Sequence, residues 1–513
     1  MPRPFPTARF CAGLALCASL VASAYAQTQV RPGPDLYELR PALAQTNNAQ
    51  MNGAQSNGAQ SNTAVPPGSG AGDTGFVSTN TPAKSAKAAA SKAKQAPPPL
   101  PTPAPRLAAR VRDALKNDDV TGSILRRTDR RTIDETDPYE QLGLRVGSFD
   151  VKPSVEIYGG YDDNPLRLNS PRGSRFAMVD ARVTTQSNWS RHELQGELRG
   201  AFTDYLQIEN NDRPEAEAKL RGRIDVTSQG RIELEGRAAL TTQAAGTPDS
   251  ITSAKRPPNV YQFEGQAGYV HRFNRTELGL RGTVERNKYE SAELLSGATE
   301  DLSDRNFTAY GMALRGSYEM TPGFKPFLEA EVDRRVFDHK IDFTGVERGS
   351  RGWAVRAGAE FGRVGVLTGE ASAGFAQRQY DDPSLDDISG LIVDASLVWR
   401  ATALTTVTLR AESEIGETTL AGASGVFTRT ASLTVDHAFR RWLIGTASVV
   451  YGIDDYKGAG RTDERLGLGA ALTYRFNRYA SLRGEFRRER LQSSVPGDDY
   501  TANIVMLGLR LQR

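Results

Sequence analysis

The sequence predicts an all-β chain: a transmembrane antiparallel up-and-down β-barrel of about eighteen strands, preceded by a segment that adds nothing to it. Three observations carry that reading. Apolar and polar residues alternate with period two from Phe149 to the C-terminus. The alternating segments are even in number, and the connections between them are short and long by turns. Bulk composition points elsewhere, since 513 residues with 24% charged side chains, net charge +3 and a mean hydropathy of −0.48 would suit a soluble chain of several domains. Beyond the N-terminus no stretch approaches ~18 consecutive apolar residues, which excludes a helical membrane protein. The near-neutral charge argues against a nucleic-acid binder.

The elements follow in chain order. Arg3 and Arg9, an apolar run from Phe10 to Ala22 and the small-residue site Ala24-Tyr25-Ala26 make residues 1–26 a secretory signal peptide, with cleavage expected between Ala26 and Gln27. Cleavage removes both cysteines, Cys11 and Cys17, and takes two of the 64 basic residues and none of the 61 acidic ones, leaving +1. The exported chain then has no disulfide, thiolate ligand or cysteine nucleophile. Residues 27–136 are rich in Ala, Gln, Asn, Gly, Ser and Pro and cannot bury enough apolar surface to order themselves, so a mostly disordered periplasmic segment is expected. Within it Pro105 opens a short helix over 105–118, with Leu107, Val111, Ala114 and Leu115 on one face. Residues 84–131 carry 12 Lys or Arg against four Asp, a solvated linker or a basic tether.

From residue 137 onward the period is two. In Phe149 to Asp162 the odd positions are Phe, Val, Pro, Val, Ile, Gly and Tyr, and the even ones Asp, Lys, Ser, Glu, Tyr, Gly and Asp. Strands are expected at 149–162, 174–189, 191–205, 214–227, 230–243, 258–272, 276–290, 305–319, 324–338, 350–363, 366–379, 388–399, 402–414, 427–439, 443–454, 463–476, 479–491 and 500–512. The segment 366–379 is mostly Gly, Ala and Ser, and 388–399 carries Ile388, Ile392 and Val398 on its second face. Connections after even-numbered strands are a few residues long, whereas those after odd-numbered strands run to about 7–14, the rhythm of periplasmic turns and external loops. Barrels of 16 to 18 strands leave an aqueous lumen unless plugged, and no external loop is long enough to be an obvious plug.

The apolar register then faces lipid and the polar register lines the lumen. The expected lumen lining is Glu193, Glu197, Arg199, Glu217, Arg221, Arg223, Glu235, Arg237, Glu264, Arg281 and Glu285. Trp189, Phe273, Phe324, Trp399, Trp442, Phe476 and Tyr479 lie at short-turn ends, and Tyr161, Tyr205, Tyr261, Tyr289, Trp353 and Tyr451 toward long-loop ends, as two interfacial girdles. Acidic pairs gather on the long-loop side at Asp162-Asp163, Asp381-Asp382, Asp454-Asp455 and Asp498-Asp499, either ordinary loop polarity or a cation-attracting outer rim. Glycines 159, 196, 200, 222, 236 and 268 recur in the apolar register, where they ease curvature.

The stretch Asp137-Pro-Tyr-Glu-Gln-Leu-Gly-Leu-Arg-Val-Gly-Ser-Phe149, continuing through Lys152-Pro-Ser to Gly159-Gly-Tyr-Asp-Asp-Asn164, resembles the opening region of the beta-barrel porin 2 family of bacterial outer-membrane proteins. The resemblance covers residues 137–513. It implies an outer-membrane barrel and, because some similar barrels work beside capsule or exopolysaccharide export machinery, a role there as one alternative. It carries no catalytic residue.

His192, His271 and His437 fall in the lipid-facing register and His339 beside Asp338, and there is no phosphate-binding glycine loop or zinc-type spacing, so neither an enzyme nor a cofactor or metal is expected. The leading expectation is an outer-membrane pore for passive passage of small hydrophilic solutes. The alternatives are a conduit or accessory barrel for polysaccharide export and a structural barrel anchoring the envelope. Expected partners are outer-membrane lipid and lipopolysaccharide, the barrel-assembly machinery, and polysaccharide-export components or peptidoglycan through residues 84–131, with no nucleic acid.

Overall fold

A computed structural model describes residues 139–251, 254–362 and 366–513. The signal peptide, the low-complexity segment, its helix and its basic run lie outside the described residues.

The chain forms a 19-stranded antiparallel sheet, which without the three-residue strand Leu144–Val146 leaves the eighteen strands of a barrel. In chain order they are β1 (Phe149–Asp162), β2 (Ser174–Ser187), β3 (Glu193–Tyr205), β4 (Arg213–Asp225), β5 (Gly230–Thr242) and β6 (Asn259–Phe273). There follow β7 (Thr276–Tyr289), β8 (Phe307–Tyr318), β9 (Phe324–Phe337), β10 (Ser350–Phe361), β11 (Leu367–Tyr380) and β12 (Ile388–Arg400). The last are β13 (Thr405–Gly416), β14 (Gly425–Arg440), β15 (Leu443–Lys457), β16 (Arg461–Arg475), β17 (Ala480–Ser493) and β18 (Tyr500–Gln512). Each strand pairs with its sequence neighbour, and β1 pairs with β18 from Ser154↔Gln512 to Asp162↔Ile504, which closes the sheet. Closure leaves no unpaired edge strand, the condition for a sheet in hydrocarbon, although β12 and β13 part toward their long-loop ends.

The expected strands lie within three residues of the observed ones at every end, the widest gaps being 402–414 against Thr405–Gly416 and 443–454 against Leu443–Lys457. Three small elements were not legible from alternation. Leu144–Val146 folds back on β1 through a turn in which Gly147 has φ +59°, Ala292–Glu293 pairs with Thr299–Glu300, and Ser303–Arg305 forms a 3-10 turn.

Burial separates the two faces as the alternation requires. Ile157, Leu220, Leu328 and Leu391 are 51%, 53%, 65% and 75% exposed, while their polar neighbours face inward. Exposed apolar side chains on every strand but β2, whose outward Val179 and Val183 are half-buried, form a belt that only lipid can cover. The two expected girdles hold with two corrections. Tyr205 is buried on the inner face, its hydroxyl 3.4 Å from Asp162 Oδ2, and Tyr289 shares the inward register of Asn287, because both stand on the lumen parity of their strands. Tyr310, 53% exposed, takes a place in the outer girdle. Gly268 likewise faces the lumen, between Glu233 and Arg281 in register.

The second-face apolar residues of β12 have a physical reason. β12 and β13 pair only from Ala395↔Ala411 to Arg400↔Thr406, and beyond that the Ser413 hydroxyl stands in for the ladder, accepting from Val393 N at 3.0 Å and donating to Val393 O at 3.3 Å. Ile388 and Ile392 pack beside this parting with Ala354, Tyr380, Ile415 and Phe427 in a small buried cluster.

Candidate functional site

Strand parity places the charged residues of the inner wall, and the register decides which of them meet. On β2 to β6 they form short pairs between adjacent strands. Arg199 reaches Asp180 at 2.6 Å and Glu215 at 3.5 Å, Arg182 reaches Glu197 at 3.4 Å, and Arg237 reaches Glu217 at 2.7 Å. Arg221 meets Glu235 at 3.3 Å and Arg223 meets Glu193 at 3.2 Å. Glu264 stands in cross-strand register between Arg237 and Glu285, and Glu285 accepts from Asn287 Nδ2 at 2.6 Å.

A denser cluster lies on β7 to β12. Glu329, with its side chain only 1% exposed, is ringed by Arg356 at 3.4 Å, Arg315 at 3.6 Å and Arg281 at 3.8 Å. Arg315 also binds Glu360 at 2.7 Å and Glu370 at 2.8 Å, and its guanidinium carbon lies 3.5 Å from the centre of the Phe327 ring. Gly358 makes room for this arrangement, since a Cβ there would stand 2.5 Å from Phe327 Cζ and from Ala371 O. Lys325 links Glu360 to Glu277, which Arg231 also approaches at 3.6 Å, so the ladder runs unbroken round the wall from β5 to β11. A buried carboxylate is tolerated only with partners of this kind.

The long-loop mouth is bridged. The connection after β5 (residues 243–258) and the one after β13 (residues 417–424) spring from nearly opposite walls of the barrel, and they meet through Asp249. Its Oδ1 accepts from the Thr418 hydroxyl at 2.7 Å, the Thr419 amide at 2.8 Å and the Thr419 hydroxyl at 3.1 Å, while its carbonyl accepts from Gln243 and Arg305. On the other side of the same connection, Gly246 lies against Arg167 and Tyr500, with φ +73° and no space for a Cβ. Arg167 in turn pairs with Asp162 and Glu489, both at 2.9 Å; burial opposes its charge, and the two carboxylates outweigh that and raise its pKa. Arg348, buried in the loop after β9, donates to Thr418 O at 2.8 Å and binds Asp342 at 2.7 Å. The mouth is thus narrowed although no single external loop is long enough to plug it. Modest length suffices because two loops share the span.

The rim acids meet donors of the chain itself. Asp162, Asp381, Asp454 and Asp498 bind Arg167, Arg334, Arg465 and Arg461 at 2.9, 2.6, 2.9 and 2.6 Å, and Asp455 binds Lys457. Asp163 accepts from Asn503 N and Nδ2, Asp499 from Ser493 N, and Asp382 from the Ser384 amide and hydroxyl and the Glu347 amide. The Ser384 hydroxyl bond leads the effects that hold Asp382 below its ordinary pKa. Sequence reasoning missed Arg315, Glu329, Glu360 and Glu370, although the same parity marks them. It also missed Asp249, Thr418, Thr419, Arg167 and Arg348, for which alternation offers no signal, because loop contacts are set by the closed ring rather than by local period.

A closed sheet with a lipid-facing apolar belt, a charged inner wall and a loop-narrowed mouth defines a porin-like barrel of the bacterial outer membrane. The chain belongs to the family described as "Putative beta-barrel porin 2", whose model matches residues 137–513. Solved structures similar to it include the outer membrane protein OpdK from Pseudomonas aeruginosa (12% identity, covering 71% of this chain and 99% of that one, TM-score 0.35). OccK2 (OpdF) of the same organism is 12% identical over 71% and 98% of the two chains with a TM-score of 0.38, and OccAB4 of Acinetobacter baumannii 11% identical over 73% and 100% with 0.37. No residue role is carried over from them. A comparison with curated proteins finds no match.

Proposed function

We propose that this barrel is a pore for passive passage of small hydrophilic solutes, narrowed at its external mouth by the bridge through Asp249. One observation carries the reading: the inner wall is lined by charged side chains whose charges are met by one another, leaving a polar surface along which a hydrated solute loses little. Barrels of about 16–18 strands enclose a water-filled lumen unless it is plugged. The bridge sets an upper size for the solute without contributing an apolar plug. The strand ends of the short-turn side include the start of β1 and the end of β18, so residues 27–136 enter from the periplasm under the usual orientation. There the basic run 84–131 is available to peptidoglycan or to an anionic polymer.

Liposome swelling with the purified full chain tests the proposal. Sugars should enter at rates that fall steeply with size, and monosaccharides should enter fastest. Proteoliposomes as impermeable to monosaccharides as empty liposomes, with a folded heat-modifiable barrel, would contradict it.

A further inference from the structure

The outer wall carries a second feature that solute passage does not use. Along most strands the lipid-facing register is apolar up to the long-loop girdle, but on the neighbouring strands β7, β9 and β10 it turns basic there, as it does separately on β14 at Arg429 and on β17 at Arg488 and Arg490. Arg286 and Lys288 alternate with inward Glu285 and Asn287, Arg334 stands between inward Asp333 and Arg335, and Arg351 lies between inward Ser350 and Gly352. One row across the wall reads Val284, Tyr310, Arg334, Arg351 and Gln379 in successive cross-strand pairs. Trp353, 41% exposed, sits two residues below Arg351 on the same face, which puts the row at the headgroup level.

The charges there are unbalanced. Arg286 binds Asp338 and Arg334 binds Asp381, whereas among the described residues Lys288 and Arg351 have no carboxylate within ion-pair distance. Arg334 and Arg351 are direct cross-strand partners, which sets their Cβ atoms about 4.5–5.5 Å apart. Both carboxylate oxygens of Asp381 already close the fork of Arg334, so the uncompensated charges of this stretch are those of Lys288 and Arg351. Guanidinium forks match phosphate oxygens in bidentate fashion, and Tyr310 supplies a hydroxyl at the same level.

We propose that Lys288 and Arg351, on either side of the Arg334–Asp381 pair, hold the phosphate groups of an outer-leaflet glycolipid of the lipopolysaccharide type, whose acyl chains lie along the apolar wall below. The site is external and independent of any solute in the lumen.

The test is native mass spectrometry of the detergent-folded full chain with bisphosphorylated lipid A, dephosphorylated lipid A, or lipid A plus millimolar inorganic phosphate. Folding is checked by heat-modifiable gel migration. Wild type should retain lipid A, retain the dephosphorylated form roughly tenfold less, and keep its lipid in inorganic phosphate. Lys288→Gln/Arg351→Gln should also lose about tenfold, while Arg440→Gln/Arg441→Gln, which removes exposed cations of the short-turn side, should match wild type. Should the first double variant fail to fold, Arg351→Lys keeps the charge, loses the fork and should show a partial loss. Retention equal to wild type in the folded Lys288/Arg351 variants, or displacement by inorganic phosphate, which would mark a free-anion site, would overturn the proposal.

Discussion

The inner wall is built in two ways. On β2 to β4 the Arg182–Glu197 and Arg223–Glu193 pairs are partly wet, with side-chain exposures of 19% and 34% and of 28% and 22%. On β8 to β11 the carboxylates of Glu329, Glu370 and Glu360 are 1%, 5% and 6% exposed around Arg315 at 15%. The same residue types therefore serve different ends. Where small residues such as Gly358 and Gly374 line the wall, long side chains lie down into it and become a desolvated brace. Where the neighbours are themselves long and charged, the heads stand toward the lumen and set its electrostatics.

The largest test of that contrast is Arg315→Met. It leaves Glu329, Glu360 and Glu370 short of a shared buried cation, so the folded barrel should lose about 3–5 kcal/mol, read as a lowered urea midpoint of the folded gel band. A shift below about 1 kcal/mol would place the brace among the wet pairs instead. Arg223→Gln, on the wet side, should cost only about 0.2–1 kcal/mol. Its effect should fall on transport, because removing one lumen cation shifts the reversal potential in a KCl gradient toward cation preference, a shift that Arg315→Met should produce weakly if at all.

The sequence made the wet wall legible and the brace hard to see, for a physical reason. Glu217, Arg221, Arg223, Glu235 and Arg237 advertise themselves by alternating with Ala, Leu, Gly and Ile. Glu370 lies in a strand of Gly, Ala and Ser, where period two fades although the fold requires the strand. Distance along the strand puts Tyr205 and Tyr289 at the girdle, but parity decides the face and turns both inward. The rim aspartates stood out as pairs, but consecutive residues of a strand point to opposite faces, so each found a separate partner. The bridge through Asp249 depends on which walls oppose each other after closure, which no local pattern states.

The smallest expected effect concerns pH. Asp342 helps to hold Arg348 against Thr418 O; burial works against its charge, but bonds from Thr344, the Val346 amide and Arg348 overcome it and depress the pKa. A depressed carboxylate contributes stability that is present above its unfolded pKa of about 3.9 and lost as pH falls through the lower folded value. Conductance noise should thus stay flat from pH 7 to about 5 and rise only below about 4, and Asp342→Asn should show that noise already at pH 7.

The bridged mouth is the centre of this account, and single-channel conductance of the full chain in planar bilayers tests it most directly. Asp249→Ala removes the acceptor of all three bonds from Thr418 and Thr419 while leaving the barrel ladder intact. Its steps should be larger than those of wild type and more variable, with unchanged heat-modifiable migration. Steps of identical size and noise in the two proteins would show that the bridge does not limit the pore, and the account would fail.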